Sequence, residues 1–422
     1  MKPQVEIMSP AGSFEALQAA LQAGANSVYF GVDQLHMRAG NTQSFSLSDL
    51  PEIATRCAAK NVKTYLTVNT VLYNHDLKIM RKICDAAKAA KISAIIASDM
   101  AAIQYCKSIS MCVHISTQSN VCNIEAVKFF APYSDVIVLA RELTLQQIKE
   151  ICEQIKAEDI RGTSGKPLEI EIFAHGALCV AVSGKCYMSL GTDNASANRG
   201  SCRQNCRRSY RVIDEETGEE LVLDNKYVMS PKDLCTIGFV DKLIDAGVSV
   251  LKLEGRGRAA DYVHTVTKAY REAANAHLEG TYNQDKIDAW LKQLDSVYNR
   301  GYWHGGYYLG KQLGEWSGEY GSQATQEKVF IGRAKKYFPK AKVAELRLEA
   351  GDLKLNDSLL VTGPTTGLVK STVESIFLDE KSVTKATRGN NITITLNEKV
   401  RPNDKVYIIK DRLLHQPRVD HA

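Results

Sequence analysis

The chain has 422 residues, of which 44% are hydrophobic and 24% charged, and its formal net charge at pH 7 is +5. This composition is typical of a globular protein with one large domain and a smaller one. It contains no apolar stretch long enough to span a bilayer, and the net charge is too small to indicate a polyanionic partner by itself.

The N-terminus contains no apolar run that could serve as a secretory signal, since residues 1–6 read MKPQVE. Disulfides need an oxidising compartment, so we do not expect them among the eleven cysteines. The sequence therefore predicts a cytoplasmic protein that does not enter a membrane.

Short β-rich runs alternate with amphipathic helical runs through the first 280 residues, a pattern typical of parallel βα units. We expect eight strands, at 5–9, 27–31, 62–68, 94–98, 112–118, 135–141, 168–175 and 248–254. We expect eight helices, at 13–23, 48–60, 77–91, 101–108, 124–130, 144–156, 237–246 and 259–278. Residues 1–280 are thus predicted to form an α/β fold of the (β/α)8 TIM-like barrel type. A doubly wound open sheet is the alternative, but no GxGxxG follows the first strand.

Polar residues cluster where these predicted strands end, which is where barrel enzymes place their active sites. The candidate catalytic residues among them are Asn69, Gln118, His175, Glu254 and Arg256. Alternation along the strands places several of these side chains on the inward face. They form either a polar pocket or a set of structural hydrogen bonds and ion pairs, and the sequence leaves both interpretations open.

The connection after the seventh strand, residues 176–236, is far longer than an ordinary βα loop. It carries five cysteines among glycine, serine, asparagine and arginine, which favours metal ligation over simple packing. These candidate ligands are Cys179, Cys186, Cys202, Cys206 and Cys235. Structural zinc sites usually hold cysteines in pairs two to four residues apart, whereas the spacing here is looser and fits an iron-sulfur cluster better. Zinc remains the alternative.

An arginine run without acidic residues occupies 199–211 of this insertion, and residues 219–229 resemble a hairpin arm. Its candidate RNA-binding residues are Arg199, Arg203, Arg207 and Arg208, with Arg211 at the end of the run. Arginine suits phosphate contacts and stacking on bases. The run either contacts a nucleic acid near the cysteines or only balances their charge on a solvated loop.

Residues 281–326 form a joining region with one predicted helix at 285–298 and a loop rich in glycine and aromatic residues. Residues 327–415 are predicted to be a small all-β barrel domain. Its expected strands are 329–335, 343–348, 358–362, 372–377, 382–387, 392–396 and 405–410. Lys335 and Lys336 lie on its basic edge and are further candidates for RNA contact, although charge runs are more often solvated.

Several motifs resemble the collagenase-like peptidase family of unknown catalytic type. The main one is Glu171-Ile-Phe-Ala-His-Gly-Ala-Leu-Cys179 followed by Ser183-Gly-Lys-Cys186-Tyr-Met-Ser189. The others are Met8-Ser-Pro-Ala-Gly12, Asn198-Arg-Gly-Ser-Cys202, Ser230-Pro-Lys-Asp-Leu-Cys235 and Leu251-Lys-Leu-Glu-Gly-Arg256. The resemblance covers essentially the whole chain.

The resemblance implies a 4Fe-4S protein similar to the prephenate-dependent hydroxylases of the tRNA wobble uridine. By position it implies Cys179, Cys186, Cys202 and Cys235 as cluster ligands, with Cys206 competing for the fourth place. It also implies tRNA and a small organic acid as partners, and a possible partner protein of the same family. We expect the barrel pocket to hold the acid near His175 and Arg256. The alternatives are a collagenase-like peptidase, an rRNA or quinone hydroxylation factor, and an RNA-binding accessory protein with a structural cluster. The sequence contains no HExxH or GxSxG motif that would support a familiar hydrolase.

Overall fold

The structure is a computed structural model that describes residues 5–40, 45–210, 213–218, 230–310, 316–317 and 321–412. Ten strands precede the C-terminal domain: β1 Glu6–Pro10, β2 Ser27–Phe30, β3 Lys63–Val68, β4 Ala94–Ala97, β5 Val113–Ile115, β6 Val136–Val138, β7 Glu169–Gly176, β8 Asp233–Cys235, β9 Val250–Leu253 and β10 Tyr302–His304. The α-helices are α1 Phe14–Gln22, α2 Leu50–Ala58, α3 Leu77–Ala89, α4 Met100–Ser108, α5 Ile124–Phe130, α6 Leu145–Ala157, α7 Met188–Asp193, α8 Val240–Asp245, α9 Ala260–Leu278 and α10 Gln284–Asp295.

Eight parallel strands close into a barrel. Strands β1 to β7 pair in chain order, and β9 completes the circle by pairing with both β1 and β7. All eight predicted barrel strands and their helices are present with boundaries shifted by a few residues, so the predicted (β/α)8 fold is confirmed.

The helices follow the periodicity that places one apolar stripe against the barrel. In α2 the buried side chains Leu50, Ile53 and Cys57 recur three and four residues apart. The start of α6 is fixed by a capping box, in which Thr144 and Gln147 each accept a backbone N–H from the other residue. Local sequence and global fold therefore agree in this part of the chain.

The barrel has two buried layers of different character. A large apolar cluster fills the space between the strands and the surrounding helices. The inside of the barrel holds a smaller apolar set: Met8, Tyr29, Tyr65, Ala94, Ile96, Val136 and Val250. The inside also holds charge, because Lys252 donates to the fully buried carboxylate of Glu171 at 2.7 Å and His114 lies 3.5 Å from the other oxygen of that carboxylate.

The insertion after β7 adds strands that the sequence did not predict. Strand β8 pairs antiparallel with the end of β7, and β10, from the joining region, pairs parallel with β8. The insertion is therefore anchored to the rim of the barrel at the carboxyl end of β7. Residues 219–229, predicted as a hairpin arm, and Arg211 lie outside the described residues.

The C-terminal domain is all-β, as predicted, with a hydrophobic core of its own. Its strands are β11 Gln326–Phe338, β12 Val343–Leu348, β13 Leu353–Lys354, β14 Ser358–Gly363, β15 Gly367–Thr372, β16 Phe377–Leu378, β17 Lys381–Ser382, β18 Lys385–Ala386, β19 Asn391–Thr395 and β20 Lys405–Asp411. Eight of them form an antiparallel sheet in the order β15-β14-β20-β11-β12-β19-β16-β17. The strand predicted at 372–377 is wrong, because β15 pairs with β14 through the short turn 364–366 and ends at Thr372.

The C-terminal domain packs beside the first barrel helix. Gln22 of α1 donates to the Thr366 carbonyl at 2.9 Å and accepts from the Leu368 amide at 2.9 Å. A salt bridge of 2.5 Å between Lys328 and Asp261 joins the domain to α9. Within the part of the chain that the structure describes, no helix is both long and apolar enough to cross a membrane.

Candidate functional site

A pocket of about 270 Å³ opens at the carboxyl ends of the barrel strands and is lined partly by the cysteine-rich insertion. Barrel residues such as Asn69 and Gln118 form one part of its lining, and insertion residues such as Cys179 form another. This is the end of the barrel at which such folds place their chemistry. The insertion thus lies over the pocket, as its position after β7 predicts.

Four of the five candidate thiols line this pocket: Cys179, Cys186, Cys202 and Cys206. All four are half-buried. Burial raises the pKa of Cys206, its neighbour Arg207 lowers it, and the other three thiols raise it further by their charge. Cys206 therefore lies close enough to the other three pocket thiols to form one electrostatic group with them.

The arrangement of the thiols bears on which metal centre they could hold. Among the described residues, no three side chains of the metal-ligating types converge closely enough to hold a single ion. Thiolates that bind one zinc must all lie about 2.3 Å from it, whereas those of a four-iron cluster bind different irons and stand farther apart. Four cysteines line one pocket, which is the number and type of ligand that a 4Fe-4S cluster takes.

Cys235 lies elsewhere, although the sequence ranks it with the others. It is 1% exposed, belongs to β8 and does not line the pocket. Burial raises the pKa of its thiol to about 12, while the Ile237 backbone and the Tyr270 hydroxyl partly stabilise the thiolate. Its surroundings are those of a structural cysteine.

The pocket is strongly cationic. Among the described residues, six arginines and one lysine line it, against a single carboxylate, Glu254. Arg38 binds that carboxylate at 2.9 Å, and the Tyr29 hydroxyl donates to its other oxygen at 2.8 Å. Burial alone raises the pKa of Glu254, but Arg38 and Arg256 outweigh it and hold the pKa at about 2. The carboxylate is therefore ionised, and it forms a salt bridge with one of these two guanidiniums, that of Arg38.

Three other guanidiniums of the pocket form no salt bridge with the described residues. No carboxylate of the described residues lies within salt-bridge distance of Arg141, Arg256 or Arg258, all of which line the pocket. Arg256 is 7% exposed and donates to the Thr67 hydroxyl at 2.8 Å. Its Nε is buried without a hydrogen-bond partner among the described groups. A buried, unsatisfied cationic donor is costly unless an anion meets it.

Glycine allows the backbone around Arg256 to pack this tightly. A Cβ on Gly12 would stand 1.9 Å from the Arg256 carbonyl oxygen. Gly176 has φ +105, and a Cβ there would stand 2.4 Å from the Glu254 carbonyl oxygen. Two glycines of the sequence motifs thus position the end of β9 at the pocket.

Uncharged polar side chains complete the pocket. The Asn69 amide donates to the Ser116 hydroxyl at 3.2 Å, and that hydroxyl donates to the Gln118 Oε1 at 2.6 Å. The Asn69 Oδ1 accepts the Met37 amide at 3.3 Å. Of the five predicted catalytic residues, the structure therefore brings Asn69, Gln118, Glu254 and Arg256 to the pocket.

His175, the fifth, does not line the pocket. It is 1% exposed, and its ring lies among those of Tyr262, Tyr270 and Tyr302 at centroid distances of 6.1, 5.4 and 5.4 Å. Burial, assisted by the charge of His304, lowers the pKa of His175 to about 3. The imidazole is therefore neutral at ordinary pH.

Arg38 is a pocket residue that the sequence reasoning did not select. It comes from the connection between β2 and α2, residues 31–49, which exceeds the usual length of a βα loop. The unusual length of this loop is the only feature of the sequence that points to Arg38 as a pocket residue. Lys252 also lines the pocket, and its pairing with Glu171 is evident only in the structure.

The predicted RNA-binding residues differ in how accessible their side chains are to an RNA. Arg199 pairs with Asp76 at 2.7 Å and lies 4.1 Å from the Tyr73 ring centroid, while Arg203 and Arg208 are exposed. Arg207 instead donates to the Leu178 carbonyl at 2.5 Å and the Pro231 carbonyl at 2.9 Å, which ties parts of the insertion together. Lys335 and Lys336 are exposed on β11 and do not line the pocket.

Comparison with known proteins decides the family. A profile of peptidase family U32 matches residues 12–318. The chain belongs to peptidase family U32. A protein of Porphyromonas gingivalis named Collagenase is 52% identical over 95% of this chain and 97% of its own length.

Other relatives carry names of RNA modification. The tRNA hydroxylation protein P1 of Bacillus subtilis is 29% identical over 94% of this U32 chain and 93% of its own length. The 23S rRNA 5-hydroxycytidine C2501 synthase of Escherichia coli is 34% identical over 65% of this chain, which covers 40% of that protein. The resemblance inferred from the motifs is confirmed, and the relatives' names divide between proteolysis and RNA hydroxylation.

Proposed function

We propose that this U32 protein is an RNA-modifying enzyme that hydroxylates the wobble uridine of tRNA without molecular oxygen, with prephenate as cosubstrate. The observation that carries the proposal is a single pocket in which four thiols and three guanidiniums without carboxylate partners come together. Its relatives named for tRNA and rRNA hydroxylation support the choice of substrate class.

The four pocket cysteines are the proposed ligands of a 4Fe-4S cluster: Cys179, Cys186, Cys202 and Cys206. The proposal replaces Cys235 with Cys206 as the fourth ligand, because Cys206 is part of the electrostatic group and Cys235 is not. When bound, such a cluster would supply electron transfer or a site for the oxygen donor. The neighbouring arginines would offset the negative charge of its thiolates.

Arg256, Arg141 and Arg258 are the proposed contacts of the acid. Prephenate carries two carboxylates, and a planar guanidinium can bind a carboxylate through two parallel N–H donors. The buried Nε of Arg256 offers one donor that has no partner in the described protein. The Arg141 Nε is held at 3.1 Å from the Ser183 hydroxyl, which leaves its terminal nitrogens for the ligand.

Asn69 and Gln118 are the proposed contacts of the base. Each amide offers both a donor and an acceptor, which matches the alternating carbonyl and N–H groups along the edge of uracil. Ser116 fixes their orientation through its hydrogen bonds to both. A base that reaches them must leave its stack, as in other enzymes that modify nucleobases.

The direct test is reconstitution. Anaerobically purified full-length protein is incubated with prephenate and tRNA that lacks the modification, and the nucleosides are analysed by mass spectrometry. We expect a hydroxylated uridine that depends on both the protein and prephenate. The same assay is run with rRNA, and hydroxylation of rRNA alone would identify rRNA as the substrate instead of tRNA. The absence of hydroxylation in both RNAs would contradict the proposal.

Proteolysis is the second candidate, because a relative 52% identical is named Collagenase. The pocket offers little support for it. Among the described residues that line the pocket there is no histidine, so no serine or cysteine there has the base that usually activates such a nucleophile. Digestion of denatured collagen by protein freed of contaminating proteases, with Cys179→Ala as the comparison, tests this function.

A further inference from the structure

Two exposed tyrosines lie in segments that adjoin the pocket. Tyr187 is 78% exposed and stands between Cys186 and Met188, both of which line the pocket. Tyr73 is 52% exposed and lies in the loop that begins at the pocket residue Asn69. Both tyrosines are therefore available to contact a ligand.

The exposed apolar side chains of the protein are concentrated in these segments. Ten large apolar side chains of the described residues are exposed, and half of them come from 71–73 and 182–190. These five are Val71, Tyr73, Val182, Tyr187 and Leu190. Scattered exposed apolar residues are ordinary, whereas a concentration beside one pocket marks an interaction surface.

The Tyr73 loop is held in place by the insertion. The Val71 amide donates to the Asn198 carbonyl at 3.1 Å, and Arg199 donates to the Val71 carbonyl at 3.1 Å. The Arg199 guanidinium lies 4.1 Å from the Tyr73 ring centroid and is fixed by Asp76 at 2.7 Å. A cationic plane therefore packs on this ring and the His75 ring stands edge-on to it at 5.7 Å, while Tyr73 as a whole remains about half exposed.

The charge around these tyrosines selects the class of partner. Residues 177–192 contain no acidic residue, Asp193 follows them near Arg203 and Arg208, and Lys185, next to the proposed ligand Cys186, is exposed. Arg203 and Arg208 add two exposed cations in the same insertion. Aromatic rings among cations are the pattern by which proteins bind single-stranded nucleic acid, with bases stacked on the rings and phosphates on the cations.

We propose that Tyr187 and Tyr73 are base-stacking platforms for unpaired nucleotides of the RNA, which hold the strand while one nucleotide enters the pocket. The proposal rests on the proposed function, since it takes RNA as the substrate. Removing a base from its stack costs a few kcal/mol, and stacking of neighbouring bases on tyrosine offsets that cost. The two tyrosines are positioning residues and take no part in the chemistry.

The test measures RNA affinity by fluorescence anisotropy, with the full-length protein and a labelled, unmodified anticodon stem-loop RNA. The variants are Tyr187→Ala and Tyr73→Ala, each compared with the matching Tyr→Phe variant, which keeps the ring. Phe129→Ala is the control, because Phe129 is 60% exposed on α5 and does not line the pocket. All the substituted side chains are largely exposed, so thermal melting is expected to show folded proteins.

We expect each Tyr→Ala variant to bind the RNA about tenfold more weakly, the range of one lost base stack. The Tyr→Phe variants and Phe129→Ala should bind within about twofold of the wild type, since a phenyl ring still stacks. Wild-type affinity in both alanine variants would overturn the inference while leaving RNA as the substrate. Failure of the wild type to bind the RNA would overturn the proposed function itself. A loss of gelatin binding in the same variants, with RNA affinity unchanged, would assign the surface to a peptide.

Discussion

Cys235 lies opposite His175 in the antiparallel pairing of β7 and β8, and this position keeps it out of the pocket that the other thiols of the insertion share. We therefore expect Cys206→Ala to lose most of the iron bound by the wild type, since it removes a proposed ligand. Cys235→Ala should retain iron. Iron and sulfide content and the visible absorbance of anaerobically purified protein measure both.

Each variant lacks one cysteine, so a difference in iron content between them does not come from the loss of a thiol alone. Cys235→Ala also removes a buried thiol, so its thermal stability should fall while its iron content stays. The opposite pattern, with iron lost from Cys235→Ala and kept in Cys206→Ala, would identify Cys235 as the fourth ligand. A colourless wild type that binds zinc would refute the cluster altogether.

Arg256→Met should weaken the binding of prephenate by about tenfold or more, because hydrogen bonds to charged groups contribute about 1.5–3 kcal/mol. Arg256→Lys should recover only part of the affinity, since an ammonium keeps the charge without the planar fork. Titration calorimetry measures both, with Arg333→Met on the C-terminal domain as the control. An unchanged affinity in Arg256→Met would exclude the proposed acid site.

Lys252→Met should destabilise the fold by about 3–5 kcal/mol, because it leaves the fully buried carboxylate of Glu171 without its cationic partner. The Lys252 ammonium and His114 hold the pKa of that carboxylate below its usual range despite the opposing effect of burial. Adding Glu171→Gln to Lys252→Met should restore part of the loss. Urea denaturation measures the three proteins, and equal stability of wild type and Lys252→Met would show that the pair does not stabilise the barrel.

Acid should destabilise the protein partly through His175. Its pKa is lowered to about 3 in the folded state, mainly by burial, and is about 6.5 in an unfolded chain. Between these values the unfolded state binds more protons, so the free energy of unfolding falls as the pH falls, by about 1.4 kcal/mol per pH unit for this group.

The variant His175→Gln should therefore show a shallower loss of stability on acidification. Between about pH 5.5 and pH 4.5 we expect its slope to be smaller than that of the wild type by about 1 kcal/mol per pH unit. Urea denaturation at a series of pH values gives both slopes. Parallel slopes would mean that His175 is protonated in the folded protein.

The barrel could be predicted from the sequence because its signals are local. Alternation of β-rich and amphipathic runs located all eight strands, and the ends of those strands located Asn69, Gln118, Glu254 and Arg256. The sequence did not predict the strands that form only by pairing with a distant segment of the insertion or the joining region. The three-residue strands β8 and β10 exist because β8 pairs with β7 and β10 pairs with β8, and nothing in their own composition indicates this.

Which cysteines are candidate cluster ligands likewise depends on contacts between distant parts of the chain. Spacing gave five candidates, and only the path of the insertion shows that Cys206 comes to the pocket while Cys235 enters a strand. His175 was placed at the pocket because it ends a barrel strand. The tyrosines around it and the antiparallel β8 bury it instead.

In the proposed function, the thiols and guanidiniums of this one pocket together serve the hydroxylation of tRNA. Mass analysis of tRNA nucleosides from a strain of the source organism that lacks the gene tests it most directly. We predict that the hydroxylated wobble uridine and its derivatives disappear from that strain, return with the wild-type gene, and do not return with Cys206→Ala or Arg256→Met. An unchanged level of hydroxylated uridine in the deletion strain would contradict the account.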